Sequence, residues 1–441
     1  MTLIVQVYIA VVVIENVCVF VQSRLNMPYT VRMNVSPSVS EIRQQWSLLV
    51  SAGTGVFFSV IVLPYYSISA LVVPVTEAFG WTRAEFQAAI FFSSTLGALT
   101  APLVGWLCGR FGVRRVALPG LFGLSLGFAI ASTMQGELWV LYLAYGSMAL
   151  FGAGTIPVTW TAAIASSFSQ QRGLALGIVL TGTGICGVLI PQYATFLVEQ
   201  FGWRAAYIGI ALLPVFIAWP VVYFWFKPNA GSPVQTSPSV IRDGGLTLAQ
   251  ALRRGKFWVL LGSIFLVYMA TSGIGLNLYA AVTDAGMSNG QAATVQSIFG
   301  AAIIIGRLVV GYLIDKLWAP GVAAAVMILP VFGSMMLIDP STFLWASLAA
   351  FLIGVAAGAE LDLMSFLTAR YFGLQHYAQI YAIMYMALAI CSGTAPIIFA
   401  GIFDRTSSYA VSFTITTVLF VCSSLVILLM GRYPPEFKAA D

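Results

Sequence analysis

Three charged side chains, Arg307, Glu360 and Asp362, lie within long apolar stretches of the sequence. A charged group inside an apolar helix costs several kcal/mol to bury, so such groups usually form ion pairs or mark the path of a polar molecule. Arg307 and Glu360 have similar depths in their apolar stretches, so we predict that they meet. Asp362 is the alternative partner, because residues two apart lie about 200° from each other around a helix and only one acid can face the arginine.

Two roles are open for these residues. The first is a structural salt bridge. In the second, Arg307 binds the carboxylate of a small molecule, and Glu360 or Asp362 takes up a proton while the cation is occupied. The planar guanidinium matches a carboxylate and stays charged, which favours arginine for this task. Four further side chains would complete a cavity around an organic anion: Tyr66, Gln192, Asn277 and Tyr385.

The composition places most of the chain in a membrane. Hydrophobic residues make up 60% of the 441 residues and charged residues only 8%, whereas soluble domains contain about 25% charged residues. Lys and Arg are scattered singly, without the continuous basic face that nucleic acid would need. The five cysteines are far apart and His376 is the one histidine, so we expect no metal site and no cofactor. The sequence contains no catalytic-triad pattern and no ATP-binding loop, so we do not expect an enzyme.

Twelve apolar runs are long enough to cross a bilayer, since a membrane-spanning helix needs about 20 residues. Because backbone groups in lipid must pair within their own segment, these runs are predicted to be helices. They cover residues 47–74, 84–108, 114–133, 138–168, 174–199, 203–226, 257–282, 290–314, 320–338, 341–368, 378–402 and 408–431. Nearly all the basic residues fall on the side of the membrane that carries residues 33–46. The exceptions are Arg83, Arg204 and Arg405 on the other side, and Arg307 within a helix. This asymmetry predicts that both ends of the twelve-helix core are cytoplasmic.

The chain divides into two similar halves. When the sequence is aligned with itself at one constant offset, Gly105-Trp106-Leu107 aligns with Gly311-Tyr312-Leu313, and Gly187 aligns with Gly393. We therefore predict an all-α membrane protein of twelve transmembrane helices in two six-helix repeats, with a site at their interface. The predicted regions are an N-terminal extension (1–45), a first bundle (46–226), a cytoplasmic linker (227–256), a second bundle (257–433) and a cytoplasmic tail (434–441). Residues 1–22 are apolar enough for an extra helix, and the alternative is that the physiological chain starts near Met33.

Two loops that follow even-numbered helices carry glycines and charged residues in a similar pattern. Residues 105–115 read GWLCGRFGVRR, and residues 311–316 read GYLIDK. The pair resembles the signature loop of the major facilitator superfamily, in which an acidic residue holds the inward gate closed. Here Gly109 replaces that residue in the first loop, whereas Asp315 keeps it in the second. The alternative is a structural turn with basic residues that anchor the topology. The resemblance implies a gating role for Gly105, Arg110, Gly112, Arg114, Arg115 and Asp315.

Three further stretches narrow this resemblance to the monocarboxylate porters and oxalate/formate antiporters. RGLALG opens the fifth predicted helix at 172–177, and GAELD and RYFG stand at 358–362 and 370–373. The resemblance covers residues 46–433, the two predicted bundles, and extends to bacterial members of the group.

The resemblance places Arg307 at the substrate-binding arginine of helix eight in that group. The oxalate carrier adds a second cation in helix eleven, but residues 378–402 contain no Lys, Arg or His, which favours a single carboxylate. Ile303 stands where mammalian-type porters have an aspartate, so proton coupling would use Glu360 or Asp362.

These observations predict a secondary transporter that moves a small organic monocarboxylate and a proton across a bacterial inner (plasma) membrane by alternating access. The transport unit is expected to be a monomer in the lipid bilayer. An anion exchanger in which no proton moves, and a non-transporting membrane sensor, are the alternatives. Glycines in helices five and eleven are expected to serve close helix packing rather than substrate binding.

Overall fold

The computed structural model describes residues 41–168, 172–227, 245–340, 342–373 and 376–433. The chain divides into two units between Gln44 and Gln45. The described part of the first unit is the short helix Glu41–Gln44. Most of the predicted N-terminal extension, residues 228–244 of the predicted linker and the predicted tail therefore lie outside the described residues.

The described part of the second unit consists of twelve helical rods, several of them interrupted, with a single isolated β-bridge between Gly245 and Gly373. They are α1 (Trp46–Phe57 and Leu63–Phe79), α2 (Arg83–Ile90, the π-helical Phe91–Thr95, Leu96–Leu99 and Ala101–Phe111), α3 (Val113–Ser132), α4 (Leu138–Phe151 and Pro157–Ser167), α5 and α6 (Arg172–Leu213 divided at the non-helical Gly202, then Pro214–Ala218 and Trp219–Trp225), α7 (Gly255–Asp284), α8 (Asn289–Lys316), α9 (Ala319–Ile338), α10 (Phe343–Phe372), α11 (Tyr377–Thr406) and α12 (Ala410–Leu428). A further short helix, Leu248–Leu252, precedes α7.

Eight helices of the described residues are long and apolar enough to cross a membrane. One of them, residues 175–225, contains both α5 and α6. Large apolar side chains also cover the outside of the bundle. Phe216, Leu344 and Leu429 are 70%, 75% and 69% exposed. A continuous apolar exterior of this kind is solvated by lipid rather than by water.

Two of the predicted helices are broken where the sequence predicts continuous ones. α1 is interrupted after Phe57 and α4 after Phe151. The breaks lie against each other, because the Val60 N–H donates to Thr155 Oγ1 at 3.0 Å and the Trp160 Nε1–H donates to the Thr155 carbonyl at 3.0 Å. An unpaired backbone donor is costly in a membrane interior. The Thr155 side chain therefore supplies the partner that the broken helix lacks.

The first six helices contact the last six along three pairs: α5 with α8, α2 with α11, and α1 with α7. Glycines allow two of these contacts. A Cβ atom on Gly300 of α8 would lie 2.5 Å from the Gly187 carbonyl carbon of α5, and one on Gly393 of α11 would lie 2.4 Å from Thr95 Oγ1 of α2. The prediction that glycines of α5 and α11 serve close packing is confirmed for Gly187 and Gly393.

Candidate functional site: a charged centre between the two groups of helices

Arg307 occupies the interface between the first six and the last six helices. Its Nε lies 3.5 Å from Asp362 Oδ2 of α10, and its Nη1–H donates to the Leu180 carbonyl of α5 at 2.9 Å. The side chain of Arg307 is 9% exposed and that of Asp362 is 29% exposed. Nε makes no hydrogen bond in this arrangement. The guanidinium therefore has unused capacity to bind an anion that reaches it beside Asp362.

The predicted pairing of Arg307 with Glu360 is wrong, because Asp362, the alternative, is the acid that faces the arginine. The prediction chose Glu360 by its depth in the apolar stretch, which is a poor guide because the two acids are only two residues apart. Their different directions around α10 decide which of them faces the arginine.

Glu360 instead lies beside Thr271 of α7 and is only 2% exposed. Its Oε1 has no hydrogen-bond partner. Tyr65 and Tyr268 lie near Glu360. Within the described ranges, no three His, Cys, Asp or Glu side chains come together as metal ligands.

Tyrosines at every fourth position of α11 form a stacked series, which we call the tyrosine strip: Tyr377, Tyr381 and Tyr385. The ring centroids are 5.4 and 6.3 Å apart and successive planes differ by 23° and 20°. Tyr381 interacts with Arg307 and Asp362. All three tyrosines are partly exposed. The strip therefore lies beside the ion pair.

The structure places two predicted site residues in this centre. Tyr66 of α1 is 6% exposed and interacts electrostatically with Arg307. Tyr385 belongs to the tyrosine strip and interacts with Tyr268 near Glu360. Tyr381, which the sequence analysis missed, also lies near the ion pair. Its only signal in the sequence is the four-residue spacing of the strip.

The other two predicted binding residues lie elsewhere. The Gln192 amide of α5 donates to Thr294 Oγ1 and Ser297 Oγ of α8, at 3.2 and 3.4 Å. Asn277 Oδ1 accepts from Gln87 Nε2 at 2.8 Å and from the Tyr409 hydroxyl at 3.1 Å. The Asn277 Nδ2 group donates to the carbonyls of its own helix and of α11. Both side chains connect helices in this arrangement, and a role for either in ligand binding stays a prediction.

Beyond Asn277, a cluster of charged residues joins the two groups of helices at what we call the closed end. Arg83 makes two hydrogen bonds to Asp284, at 2.5 and 2.8 Å, and donates to the Tyr409 hydroxyl at 3.0 Å. Its guanidinium lies 4.0 Å from the Phe403 ring centroid. Asp404 accepts from the Arg83 backbone N–H at 3.1 Å. The sequence analysis assigned no role to this cluster. The feature that could have revealed it is the presence of charged residues at helix ends far from the predicted linker.

The residues predicted to act in gating lie at the opposite end, which we call the linker end. Arg110 lies over the rings of Trp106 and Phe111, and Arg114 donates to the Tyr223 carbonyl of α6 and lies over the Tyr223 ring. These contacts are within the first six helices.

Of the remaining gating candidates, Gly105 and Arg115 are exposed. Gly112 joins α2 to α3 with a φ of +85°, which favours glycine. The side chain of Asp315 is outside the described residues. A gating role for this loop stays a prediction.

Twelve helices with an apolar exterior, around a buried arginine and its acidic neighbours, define a multi-pass membrane protein with a polar site between two groups of helices. The sequence matches the Major Facilitator Superfamily over residues 46–396, and the chain belongs to this family of transporters. The family predicted from the loop and helix motifs is confirmed.

Relatives of this chain carry the names of transporters. Monocarboxylate transporter 11 of Homo sapiens is 25% identical over 358 residues, which cover 76% of this chain and 72% of that protein. The uncharacterized MFS-type transporter YhjX of Escherichia coli is 25% identical over 308 residues, which cover 67% of this chain and 73% of that protein.

A solved structure shares the fold. It is a bacterial homolog of the human lysosomal transporter Spinster in an inward-facing and occupied conformation. The TM-score is 0.67 at 16% identity, and the match covers 91% of this chain and 100% of that one. The predicted major facilitator fold is confirmed.

Proposed function

We propose that this transporter moves a small organic monocarboxylate together with a proton across a bacterial inner membrane. The observation that carries the proposal is the Arg307 guanidinium, which contacts both groups of helices and has an unbonded Nε beside the partly exposed Asp362. The names of the monocarboxylate transporter relatives support the same substrate class.

The substrate carboxylate binds by replacing Asp362 at the guanidinium. The Nε–Oδ2 distance of 3.5 Å is longer than a charge-assisted hydrogen bond, which measures about 2.7–2.9 Å. A mobile carboxylate can approach the planar guanidinium with both oxygens. Asp362 is held by the α10 backbone, so an incoming acid competes with it for the same cation.

Glu360 carries the proton in this proposal. It is buried, forms no ion pair with any residue that the structure describes, and has one oxygen without a hydrogen-bond partner. Burying a carboxyl group in such a place favours its neutral form. Binding of an anion nearby at Arg307 favours that form further, which couples proton uptake to substrate binding. Asp362, released from Arg307, is the second candidate for the proton.

Alternating access then requires the closed end and the linker end to open in turn. In the present conformation the contacts of Arg83 and Asn277 join the two groups of helices at the closed end. We assign the linker end to the cytoplasm, because the basic residues lie on that side. The two bundles, 46–226 and 257–433, move relative to each other around Arg307, and one chain suffices as the transport unit.

Uptake into proteoliposomes tests this proposal. Labelled monocarboxylates are supplied with and without an inward proton gradient to wild type, Arg307→Ala and Arg307→Lys. Arg253→Ala, which removes an exposed cation outside the site and the gating loops, is the control. Arg307→Ala is expected to lose about 100-fold in uptake, since a hydrogen bond to a charged group contributes about 1.5–3 kcal/mol. Arg307→Lys keeps the charge but loses the bidentate geometry, so a partial loss is expected.

Three results would count against the proposal. Uptake that persists in Arg307→Ala would move the anion site elsewhere. Uptake that does not depend on the proton gradient, but is accelerated by carboxylate inside the vesicles, would establish exchange instead of symport. If no carboxylate enters, carboxylate transport itself is wrong.

A further inference from the structure

Aromatic side chains of two helices lie near Arg307. Tyr381 and Tyr66 both interact with Arg307, from α11 and α1 respectively. Tyr65 packs against Tyr66 edge to face, with centroids 5.2 Å apart. We propose that the substrate is an arylcarboxylate, whose carboxylate binds Arg307 and whose flat ring lies against the tyrosine strip. This inference rests on the proposed carboxylate function and narrows its substrate class.

The strip offers a flat apolar surface of suitable length. Residues four apart on a helix are separated by about 6 Å along its axis, so the three rings extend over about 12 Å. Their centroid distances of 5.4 and 6.3 Å and small interplanar angles describe offset stacking. Aromatic rings prefer this geometry, at separations of about 4.5–7 Å. A planar ligand ring can add to such a series without rearranging it.

The order of contacts along the strip places the ligand ring. Tyr377 interacts with Ser365 of α10, Tyr381 with Asp362, and Tyr385 with Tyr268 near Glu360. The ion pair is therefore opposite the middle of the strip. A carboxylate bound to Arg307 brings a directly attached ring against Tyr381 or Tyr385, whereas formate or acetate would leave both ring faces without a partner.

Among the described residues, the charged group that faces Arg307 is the Asp362 carboxylate, and tyrosine rings lie near both. The site therefore provides one cation for the acid and aromatic rings for its body.

Benzoate and cyclohexanecarboxylate separate ring flatness from size and charge, because both attach one carboxylate to a six-carbon ring. Each is titrated as a competitor of labelled benzoate uptake in proteoliposomes. Wild type is expected to prefer benzoate by about three- to tenfold, the range of an aromatic stacking contact. Tyr381→Leu and Tyr385→Leu are expected to bring this ratio close to one, and Tyr381→Phe to keep it. Tyr193→Leu, which replaces a tyrosine of α5 whose hydroxyl donates to the Gly209 carbonyl within the first six helices, is the matched control and should also keep it.

The outcomes distinguish this inference from the function on which it rests. If lactate or acetate is transported in an Arg307-dependent manner but benzoate has no advantage over cyclohexanecarboxylate, the aryl specificity is wrong and carboxylate transport stands. A benzoate preference that survives in both leucine variants would also overturn the role of the strip. If no carboxylate of the panel is transported, the proposed function fails first.

Discussion

Arg83, the first residue of α2, and Asp284, the last residue of α7, are joined by two hydrogen bonds of 2.5 and 2.8 Å. Their side chains are only 12% and 30% exposed, so water screens the pair incompletely. Two parallel N–H···O bonds between a guanidinium and a carboxylate are the strong form of an ion pair. This contact connects the first six helices to the last six at the closed end.

Replacing Arg83 by alanine should therefore favour opening of the closed end. Loss of the charged hydrogen bonds is expected to change the ratio of open to closed molecules by about five- to thirtyfold, which corresponds to about 1–2 kcal/mol. Spin labels at Glu137→Cys and Arg405→Cys, in a background without the native cysteines, report the separation of the two groups of helices. A population with longer label distances should appear in Arg83→Ala and in Asp284→Asn.

Arg204 provides the control for this experiment. It was predicted on the same side of the membrane, but its guanidinium donates to the Met134 carbonyl within the first six helices. Arg204→Ala should leave the distance distribution of the labels unchanged. Equal distributions in wild type and Arg83→Ala would show that the Arg83–Asp284 pair does not hold the closed end.

Glu360→Gln should separate proton-driven uptake from exchange. Glutamine keeps the size and polarity of the side chain but cannot take up a proton. Uptake driven by an inward proton gradient is expected to fall at least about tenfold, whereas counterflow between labelled and unlabelled substrate is expected to persist. Glu137→Gln, which changes an exposed acid, is the control. Equal losses of both activities would mean that Glu360 supports the site in another way.

Gly300→Ala should weaken the contact between α5 and α8. The added methyl group would lie 2.5 Å from Gly187, and overpacking of this kind costs about 1–3 kcal/mol. The midpoint of thermal unfolding in detergent and the rate of uptake should both fall. Gly311→Ala is the matched control on the same helix, because a Cβ atom there meets nothing within 4 Å. A similar midpoint in the two variants would contradict the close approach.

Thr155→Val should destabilise the junction of the broken helices. Valine has nearly the same shape but leaves the buried Val60 N–H without an acceptor, at a cost of about 1–3 kcal/mol. Thr155→Ser keeps the hydroxyl and should restore most of the stability. Thr161→Val is the control, since the Thr161 hydroxyl bonds only to carbonyls of its own helix. Unfolding midpoints in detergent distinguish these variants, and an unchanged midpoint for Thr155→Val would exclude the proposed support.

Much of the architecture could be predicted from the sequence. Apolar runs long enough for a bilayer predicted the helices, and the loop pattern around Gly105 and Gly311 predicted the family, because both features are local in the chain. The breaks in α1 and α4 were not predicted. The hydropathy of these runs is uninterrupted, and the break in α1 is stabilised by Thr155, which is far away in the sequence.

The candidate site was predicted only in part. The prediction that Arg307, Glu360 and Asp362 form a polar site follows from the cost of burying charge in lipid, and the sequence by itself is enough to make it. The tertiary structure decided three further points: which acid faces Arg307, that Tyr381 lies beside it, and that Asn277 is engaged at the closed end. Depth in the membrane can be counted along a single helix. The direction in which a side chain points, and the partner it meets, depend on how the helix is rotated against neighbours distant in the chain.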